Sequence, residues 1–247
     1  MTLEGRCVLV TRPAEEAGSL TRLLQERGAR VFEAPTIEID PVDDSSELDQ
    51  AVRQLAAGEL AWVAFSSPRA VDVLLGRLQR FGLAPRLPAR IAAVGPATAE
   101  RLTAAGVPVE LVADPHTTAA LGAAFPTGAG KVLLPRADIA PEGLEEALAH
   151  KGWTPVRVEA YRTRFPEGLP EEARRVLDAD EVDAIVFTSA STVQGFARMA
   201  GVPGRACALC IGPVTADAAR RAGFEVCWMA EPHTIDGLVR KLEEVYA

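Results

Sequence analysis

Short apolar runs alternate along this chain with longer stretches in which apolar residues recur every three or four positions. The short runs are rich in β-branched residues, which is typical of buried strands, and the longer stretches have the periodicity of amphipathic helices. The strands are predicted at 6–11, 30–34, 60–65, 90–94, 108–112, 131–135, 155–159, 183–188, 207–211 and 224–229. The helices are predicted at 14–28, 47–57, 68–80, 97–105, 117–124, 141–151, 171–178, 190–199, 214–222 and 234–245. This alternation predicts an α/β fold with parallel sheets.

Four segments of the first half recur in the second half in the same order. The matched pairs are Val8–Pro13 with Val132–Ala137, Phe65–Val71 with Phe187–Val193, Val94–Ala99 with Ile211–Ala216, and Pro115–Thr117 with Pro232–Thr234. A repeat this long exceeds a solenoid period and indicates a duplicated unit of domain size. The length of 247 residues suits two domains that each bury a core. We therefore predict two similar doubly wound parallel-sheet lobes, flavodoxin-like, with five strands each.

The chain is predicted to cross between the lobes at two matched segments that follow matched strands. The predicted boundaries are 1–38 plus 165–247 for a discontinuous first lobe, 41–160 for the second lobe, and 37–41 and 160–165 for a two-strand linker. A simple division near the Gly-rich segment 127–130 would also split the duplication evenly. The long, regular middle block favours the discontinuous arrangement.

Composition and charge narrow the class of protein. An apolar content of 48% argues against a disordered or fibrous chain, and no apolar run approaches the roughly 18 residues that span a membrane. A net charge of −8 without a basic run argues against nucleic-acid binding. The N-terminal residues do not resemble a secretory signal. We expect a monomeric cytoplasmic protein that binds neither nucleic acid nor a membrane.

The cysteines and histidines give no pattern typical of a metal site. Cys207 and Cys210 form a CxxC, but they lie in an apolar run that is predicted as a strand, where residues three apart point to opposite faces. We interpret both as small buried hydrophobes. His116 and His233 are repeat mates in Pro-His-Thr turns, and the remaining histidine is His150. We therefore expect no metal ion.

The repeated motifs lie where strands lead into helices. In a doubly wound sheet, ligands bind beyond the carboxyl ends of the strands, near helix N-termini with free backbone N–H groups. The candidate binding residues there are Arg12, Ser66, Ser67, Arg69, Gly95, Thr98, Arg136, Ser189, Gly212 and Thr215. These residue types suit an extended, multiply anionic ligand held between the two lobes. The alternative for each hydroxyl is a helix N-cap. Tyr161 lies in the predicted linker, where packing and catalysis are equally open.

Five motifs together resemble the uroporphyrinogen-III synthase family. They are Phe65–Val71, Ala93–Ala99, Glu159–Thr163, Val186–Ser189 and Cys210–Ala216. Each is short, but their order and spacing span the whole chain. The resemblance implies two α/β lobes joined by a two-strand linker.

The resemblance also implies a cyclisation without a cofactor. The substrate would be hydroxymethylbilane, a linear tetrapyrrole rich in carboxylates, possibly handed over from the preceding enzyme of the pathway. Loss of its terminal hydroxyl as water and closure through a spiro intermediate would invert ring D and give uroporphyrinogen III. Since the substrate also closes unaided to the type I isomer, the enzyme would act mainly by positioning.

The resemblance assigns roles to individual residues. Tyr161 matches the family's linker tyrosine and would be the acid that assists departure of the hydroxyl. Four more residues match family positions whose hydroxyl groups would bind the acetate or propionate groups of the substrate, namely Ser67, Thr98, Ser189 and Thr215. Position and charge, rather than the resemblance, add Arg12, Arg69 and Arg136. The alternative function is a two-lobed non-catalytic ligand-binding or regulatory protein derived from this fold.

Overall fold

The computed structural model describes residues 3–42, 46–84, 87–202 and 206–246 of the chain. The strands are β1 (Cys7–Val10), β2 (Arg30–Glu33), β3 (Glu38–Pro41), β4 (Leu60–Phe65), β5 (Arg90–Ala93), β6 (Leu111–Val112), β7 (Lys131–Ala137), β8 (Thr154–Arg164), β9 (Ala184–Phe187), β10 (Cys207–Cys210) and β11 (Val226–Met229). The helices are α1 (Ala14–Gln25), α2 (Ser46–Ala56), α3 (Pro68–Arg80), α4 (Pro96–Ala104), α5 (Thr118–Ala124), α6 (Gly143–His150), α7 (Glu171–Asp178), α8 (Ala190–Ala200), α9 (Pro213–Arg221) and α10 (Ile235–Tyr246). Strands and helices alternate almost throughout.

The chain folds into two compact units. The discontinuous unit comprises Met1–Ile39 and Arg164–Ala247, and the continuous unit comprises Asp40–Thr163. The two boundaries fall in β3 and at the end of β8, which are neighbours in one sheet. Two crossings of the chain are therefore enough to connect the units.

The discontinuous unit contains a five-stranded sheet in the order β11-β10-β9-β1-β2. All four strand pairs are parallel. Numbered along the chain within this unit, the order is the flavodoxin-like doubly wound order. Helices α1 and α10 cover one face, and α7, α8 and α9 cover the other. Both faces are buried, which explains why the three central strands β1, β9 and β10 are continuous apolar runs.

The continuous unit repeats this arrangement with a different chain order. Its sheet has the order β3-β8-β7-β4-β5-β6. The strands that match by sequence occupy matching places, since β7 corresponds to β1, β4 to β9, and β5 to β10. Helices α2, α3 and α4 cover one face, and α5 and α6 cover the other. The predicted pair of parallel-sheet α/β lobes is confirmed.

The continuous unit differs from the predicted five strands in having a sixth. The predicted linker 37–41 is itself a strand, β3, which pairs with β8. The second linker is not separate, because the predicted strand 155–159 runs on through it to Arg164 as β8. In contrast, the strand predicted at 108–112 is reduced to Leu111–Val112. Pro108, at the start of the predicted strand, has no backbone N–H to donate, and the first hydrogen bond to the neighbouring strand comes from the N–H of Glu110.

One prediction about the cysteines is wrong. Cys207 is not a free buried thiol but forms a disulfide with Cys227, with a Cα–Cα distance of 5.5 Å. The pairing follows from the sheet, because β10 and β11 are adjacent parallel strands. Cys210 does behave as predicted and is fully buried, and Cys7 is also a buried free thiol. Burial raises the pKa of Cys210 to about 12.

Each unit has its own aromatic packing. In the discontinuous unit, Phe187, Phe196 and Phe224 contact one another edge to face, with ring centroids 5.2 to 5.9 Å apart. In the continuous unit, Phe125 lies between Trp62 and Trp153. Such pairs add about 0.5–1.5 kcal/mol each beyond the apolar area that they bury. Among the described residues, no helix is long and apolar enough to cross a membrane.

Candidate functional site

The tyrosine of the predicted linker contacts the N-terminus of a helix. The hydroxyl oxygen of Tyr161, on β8, lies 3.1 Å from Oγ of Ser67. Ser67 is the N-cap of α3, and its Oγ accepts a hydrogen bond from the backbone N–H of Ala70. The N-cap alternative is therefore correct for Ser67. The same oxygen also meets the tyrosine, so capping and a role in the site are compatible.

A β-bulge turns Tyr161 toward this helix. Arg136 on β7 pairs with Glu159, but the next residue, Ala137, pairs with Tyr161, so Ala160 is an extra residue on β8. Ala160 belongs to the core on the α3 face, and Tyr161 packs against that same core. In an uninterrupted strand, side chains alternate between faces, and Tyr161 would share the face of Glu159. The bulge instead brings Tyr161 within reach of Ser67.

The repeated motifs begin two neighbouring helices in each unit. In the continuous unit, Ser67 caps α3 and Gly95 is the N-cap of α4, after the paired strands β4 and β5. In the discontinuous unit, Ser189 caps α8 and Gly212 is the N-cap of α9, after β9 and β10. Ser189 accepts from the N–H of Thr192 in a capping box. The duplication therefore places the same caps at the same sheet edge.

These four helices share an electrostatic feature. None of α3, α4, α8 and α9 has an acidic residue in its first turn. The short helix α5 also lacks one, whereas the helices α1, α2, α6, α7 and α10 have one or two there. Acidic side chains at an N-terminus neutralise the partial positive charge of the helix dipole. The helices α3, α4, α8 and α9 therefore retain that partial positive charge, which is the kind of environment that favours an anion.

Close packing, rather than its backbone angle, favours glycine at position 95, whereas Gly212 lies at an ordinary contact distance from the matching histidine. Both Gly95 and Gly212 have extended backbones with φ of −171°. A Cβ on Gly95 would lie 3.0 Å from Cβ of His116, and one on Gly212 would lie 3.4 Å from Cγ of His233. Each histidine is held by a hydrogen bond between Nδ1 and a backbone carbonyl, of Ala113 or Ala230. The turn role predicted for these histidines agrees with this geometry.

Arg12 and Arg136, which are predicted to bind the ligand, are each paired with a carboxylate of the helix that follows. Nη1 of Arg136 lies 2.8 Å from Oε2 of Glu145, and the Arg136 side chain is only 2% exposed. Arg12 is paired in the same way with Glu16, one turn into the following helix. Burial lowers the pKa of Arg136, and Glu145 opposes that effect. The acids at the starts of α1 and α6 explain why these guanidinium groups are engaged.

Two of the predicted hydroxyl donors are also buried. Thr98 and Thr215 lie in the first turns of α4 and α9 and are 2% and 4% exposed. Contact of Thr98 and Thr215 with a ligand stays a prediction. Ser66, Ser67, Arg69 and Ser189 are half-buried and lie at the surface of the same helix ends. Among the described residues, no group of three His, Cys, Asp or Glu side chains could hold a metal ion.

Three residues near Tyr161 were not among the candidates predicted from the sequence: Arg157, Asp138 and Glu145. Arg157 donates to the backbone carbonyls of Ala137 and Asp138 at 3.1 and 3.0 Å and also pairs with Glu145. Asp138 accepts from the backbone N–H of Thr163 at 2.9 Å. The sequence does contain one signal for Asp138. Asp138 follows the repeated segment Val132–Ala137 at the position where Ala14 follows Val8–Pro13, so an acidic residue stands where its repeat mate is alanine.

Comparison with known proteins identifies the family. The family model for uroporphyrinogen-III synthase HemD matches residues 18–240. The chain belongs to the uroporphyrinogen-III synthase family. It is 30% identical to a uroporphyrinogen-III synthase of Synechococcus elongatus, over 98% of this chain and 96% of that protein. It is also 33% identical to a porphyrin biosynthesis protein HemD of Ruminiclostridium josui, over 98% of this chain, and spans about half of that relative, 49%.

Solved structures of the family have the same fold. A mutant uroporphyrinogen III synthase from Thermus thermophilus superposes with a TM-score of 0.73 at 25% identity, over 97% of this chain and 98% of that one. The Helicobacter pylori enzyme, at 16% identity and a TM-score of 0.61, shares the fold. The function of the chain is that of a uroporphyrinogen-III synthase, a lyase of tetrapyrrole biosynthesis. The alternative of a non-catalytic binding protein is not favoured.

Proposed function

We propose that the chain cyclises hydroxymethylbilane to uroporphyrinogen III, with Tyr161 as the acid of the reaction. The observation that carries this proposal is the contact between the Tyr161 hydroxyl and Ser67 at the N-terminus of α3. In the proposed first step, Tyr161 donates its proton to the terminal hydroxyl of the substrate, which leaves as water. The azafulvenium ion that remains closes through the spiro intermediate with inversion of ring D, and the ring proton released as the last pyrrole regains aromaticity returns to the Tyr161 phenolate.

Ser67 supports this proton transfer. Its Oγ accepts from the N–H of Ala70, so its own hydroxyl proton is available to the oxygen of Tyr161. Once Tyr161 has given up its proton, a hydrogen bond from Ser67 stabilises the phenolate that remains. A hydrogen bond to a charged group contributes about 1.5–3 kcal/mol. The first turn of α3 contains no acidic residue to oppose that charge.

Each unit supplies donors for the carboxylates of the substrate. The starts of α3 and α4 in the continuous unit, and of α8 and α9 in the discontinuous unit, offer backbone N–H groups without a competing acid. A negative charge at a helix N-terminus is stabilised by about 0.3–1 kcal/mol. The side chains that we propose to contact the substrate are Ser66, Ser67, Arg69 and Ser189, with the backbone at Gly95 and Gly212. Thr98 and Thr215 are buried in the first turns of α4 and α9, and Arg12 and Arg136 pair with Glu16 and Glu145, so we propose these four only as secondary contacts.

The decisive experiment is an isomer analysis. The purified chain is added to freshly generated hydroxymethylbilane, and the products are oxidised and separated as porphyrin isomers. We expect isomer III to predominate, whereas the protein-free control gives isomer I. A product no richer in isomer III than the control would overturn the proposal. Chelator-treated protein should give the same result, because the proposed chemistry uses no cofactor.

The cellular setting is proposed on the same basis. We propose that the chain acts as a cytoplasmic monomer and receives its unstable substrate from the preceding enzyme. Analytical ultracentrifugation would test the first point. A coupled assay with a trap for free hydroxymethylbilane would test the second, since direct transfer predicts that the trap has little effect.

A further inference from the structure

The duplication is broken at the turn that precedes α6. In the discontinuous unit, β1 ends at Val10 and α1 begins at Ala14. In the continuous unit, the matching strand β7 runs on to Ala137, and α6 does not begin until Gly143. The additional chain forms a turn in which the N–H of Ala140 donates to the carbonyl of Ala137. Between Val10 and Ala14, a segment that the structure describes in full, the discontinuous unit has no equivalent turn.

This turn contacts β8 at Tyr161 and again two residues further along the strand, at Thr163. The backbone N–H of Asp138 donates to the carbonyl of Tyr161 at 3.2 Å. The carboxylate of Asp138 accepts from the N–H of Thr163 at 2.9 Å. One residue therefore binds the backbone of β8 at two points, immediately after the bulge at Ala160.

The guanidinium group of Arg157, on β8, also holds this turn. Nη2 of Arg157 donates to the carbonyls of Ala137 and Asp138. Its Nη1 lies 3.4 Å from Oε1 of Glu145, whose other oxygen pairs with the buried Arg136. The turn is thus fixed to α6 and to β8 together, and the bulge cannot relax without breaking these contacts.

We propose that Asp138 is a positioning residue for Tyr161, which it holds in the bulged register that directs the phenol to Ser67. This proposal rests on the proposed role of Tyr161 as the acid. Asp138 contacts the backbone of β8 and not the reacting atoms. Its effect on the reaction should therefore pass entirely through Tyr161, and it should affect turnover more than substrate binding.

The first test is a comparison of Asp138→Ala with Asp138→Asn. The alanine variant loses the acceptor for Thr163, and we expect kcat to fall about 10-fold with KM nearly unchanged, because a displaced catalytic group loses rate steeply. The asparagine variant retains Oδ1 as an acceptor, and its kcat should return to within about 2-fold of the parent. Equal rates for the two variants, or an alanine variant with the kcat of the parent, would overturn the proposal.

A double-mutant cycle tests whether the effect passes through Tyr161. Two residues that act as one unit have non-additive effects. We expect Asp138→Ala to change kcat by less than about 2-fold in the Tyr161→Phe background. The same 10-fold loss in that background would show an unrelated structural role and reject the proposal.

A spectroscopic readout separates this inference from the proposed function. Tyr161 and Tyr246 are the only tyrosines, so the Tyr246→Phe variant reports Tyr161 alone. In that background, the ultraviolet tyrosinate titration of Tyr161 should shift on Asp138→Ala and be restored by Asp138→Asn. A shift without a loss of kcat would show that Asp138 positions Tyr161 but that Tyr161 has no role in the reaction, which would reject the proposed function. No shift would reject the positioning itself, even in an active enzyme.

Discussion

Tyr161 and Ser67 lie 3.1 Å apart through their hydroxyl oxygens, and among the residues that the structure describes this contact exists in only one of the two duplicated units. Ser189, the repeat mate of Ser67, caps its helix in the same way, but its Oγ lies 2.9 Å from Oγ of Ser191 instead. The other tyrosine of the chain, Tyr246, donates to the carbonyl of Asp183. The two units thus share their helix caps but not the phenol, and this difference allows the roles of capping and catalysis to be measured separately.

Replacement of Tyr161 by Phe should lower kcat by about 100-fold, because general acid catalysis contributes roughly that factor. Only the hydroxyl is removed, so packing against the core should persist and the melting temperature should change little. Steady-state assay of isomer III formation provides the measurement. Tyr246→Phe is the matched control and should retain the parental kcat. An unchanged rate for Tyr161→Phe would reduce Tyr161 to a packing residue.

Ser67→Ala and Ser189→Ala form a second matched pair. Both remove an N-cap, so both should lower the free energy of unfolding by about 1 kcal/mol. Only Ser67→Ala also removes the partner of Tyr161, and we expect its kcat to fall about 10-fold. For Ser189→Ala, we expect KM to rise while kcat stays near that of the parent. Equal effects of the two substitutions on kcat would argue against the role of Ser67 beside Tyr161.

The sequence predicts the fold well because its signals are local or repeated. Strand and helix periodicity gave the two α/β lobes, and the motif order gave their matching sheet edges. The sequence could not predict that Arg136 is buried in an ion pair, because an arginine at a strand end has the same sequence context whether its guanidinium is exposed or paired. Its partner Glu145 lies nine residues later on α6, and only packing brings the two together. The bulge at Ala160 likewise depends on strand register, which the alternation of β8 does not reveal.

The four cysteines should differ in their reactivity toward a thiol reagent. The chain has four cysteines, of which Cys207 and Cys227 are joined while Cys7 and Cys210 are buried. Burial raises the pKa of both free thiols, so little of the reactive thiolate is present. Ellman's reagent should therefore detect almost no thiol in the native protein, about two after unfolding, and about four after unfolding and reduction, from the counts above. Four thiols without reductant would show that the disulfide is absent.

Stability at alkaline pH should depend on Tyr246. Burial raises its pKa to about 12, above the ordinary value of 10.0. The folded state therefore favours the neutral phenol, and the resulting stability is complete below pH 10, then declines as the pH rises toward 12. Urea unfolding at a series of pH values would measure this decline. In Tyr246→Phe, the slope between pH 10 and 12 should be smaller, and an identical slope would assign the decline to other groups.

The division of one unit between the two ends of the chain has a consequence for synthesis on the ribosome. The hydroxyl of Thr11, just after β1, donates to the carbonyl of Val186, 175 positions further along the chain. Asp40–Thr163 is complete before β9 emerges, so the continuous unit has all its strands available first. Until then, the apolar strand β1 lacks its neighbour β9 and exposes an unpaired edge. Nascent chains arrested before Ala184 should therefore bind chaperones through their first forty residues, while the middle of the chain already resists proteolysis.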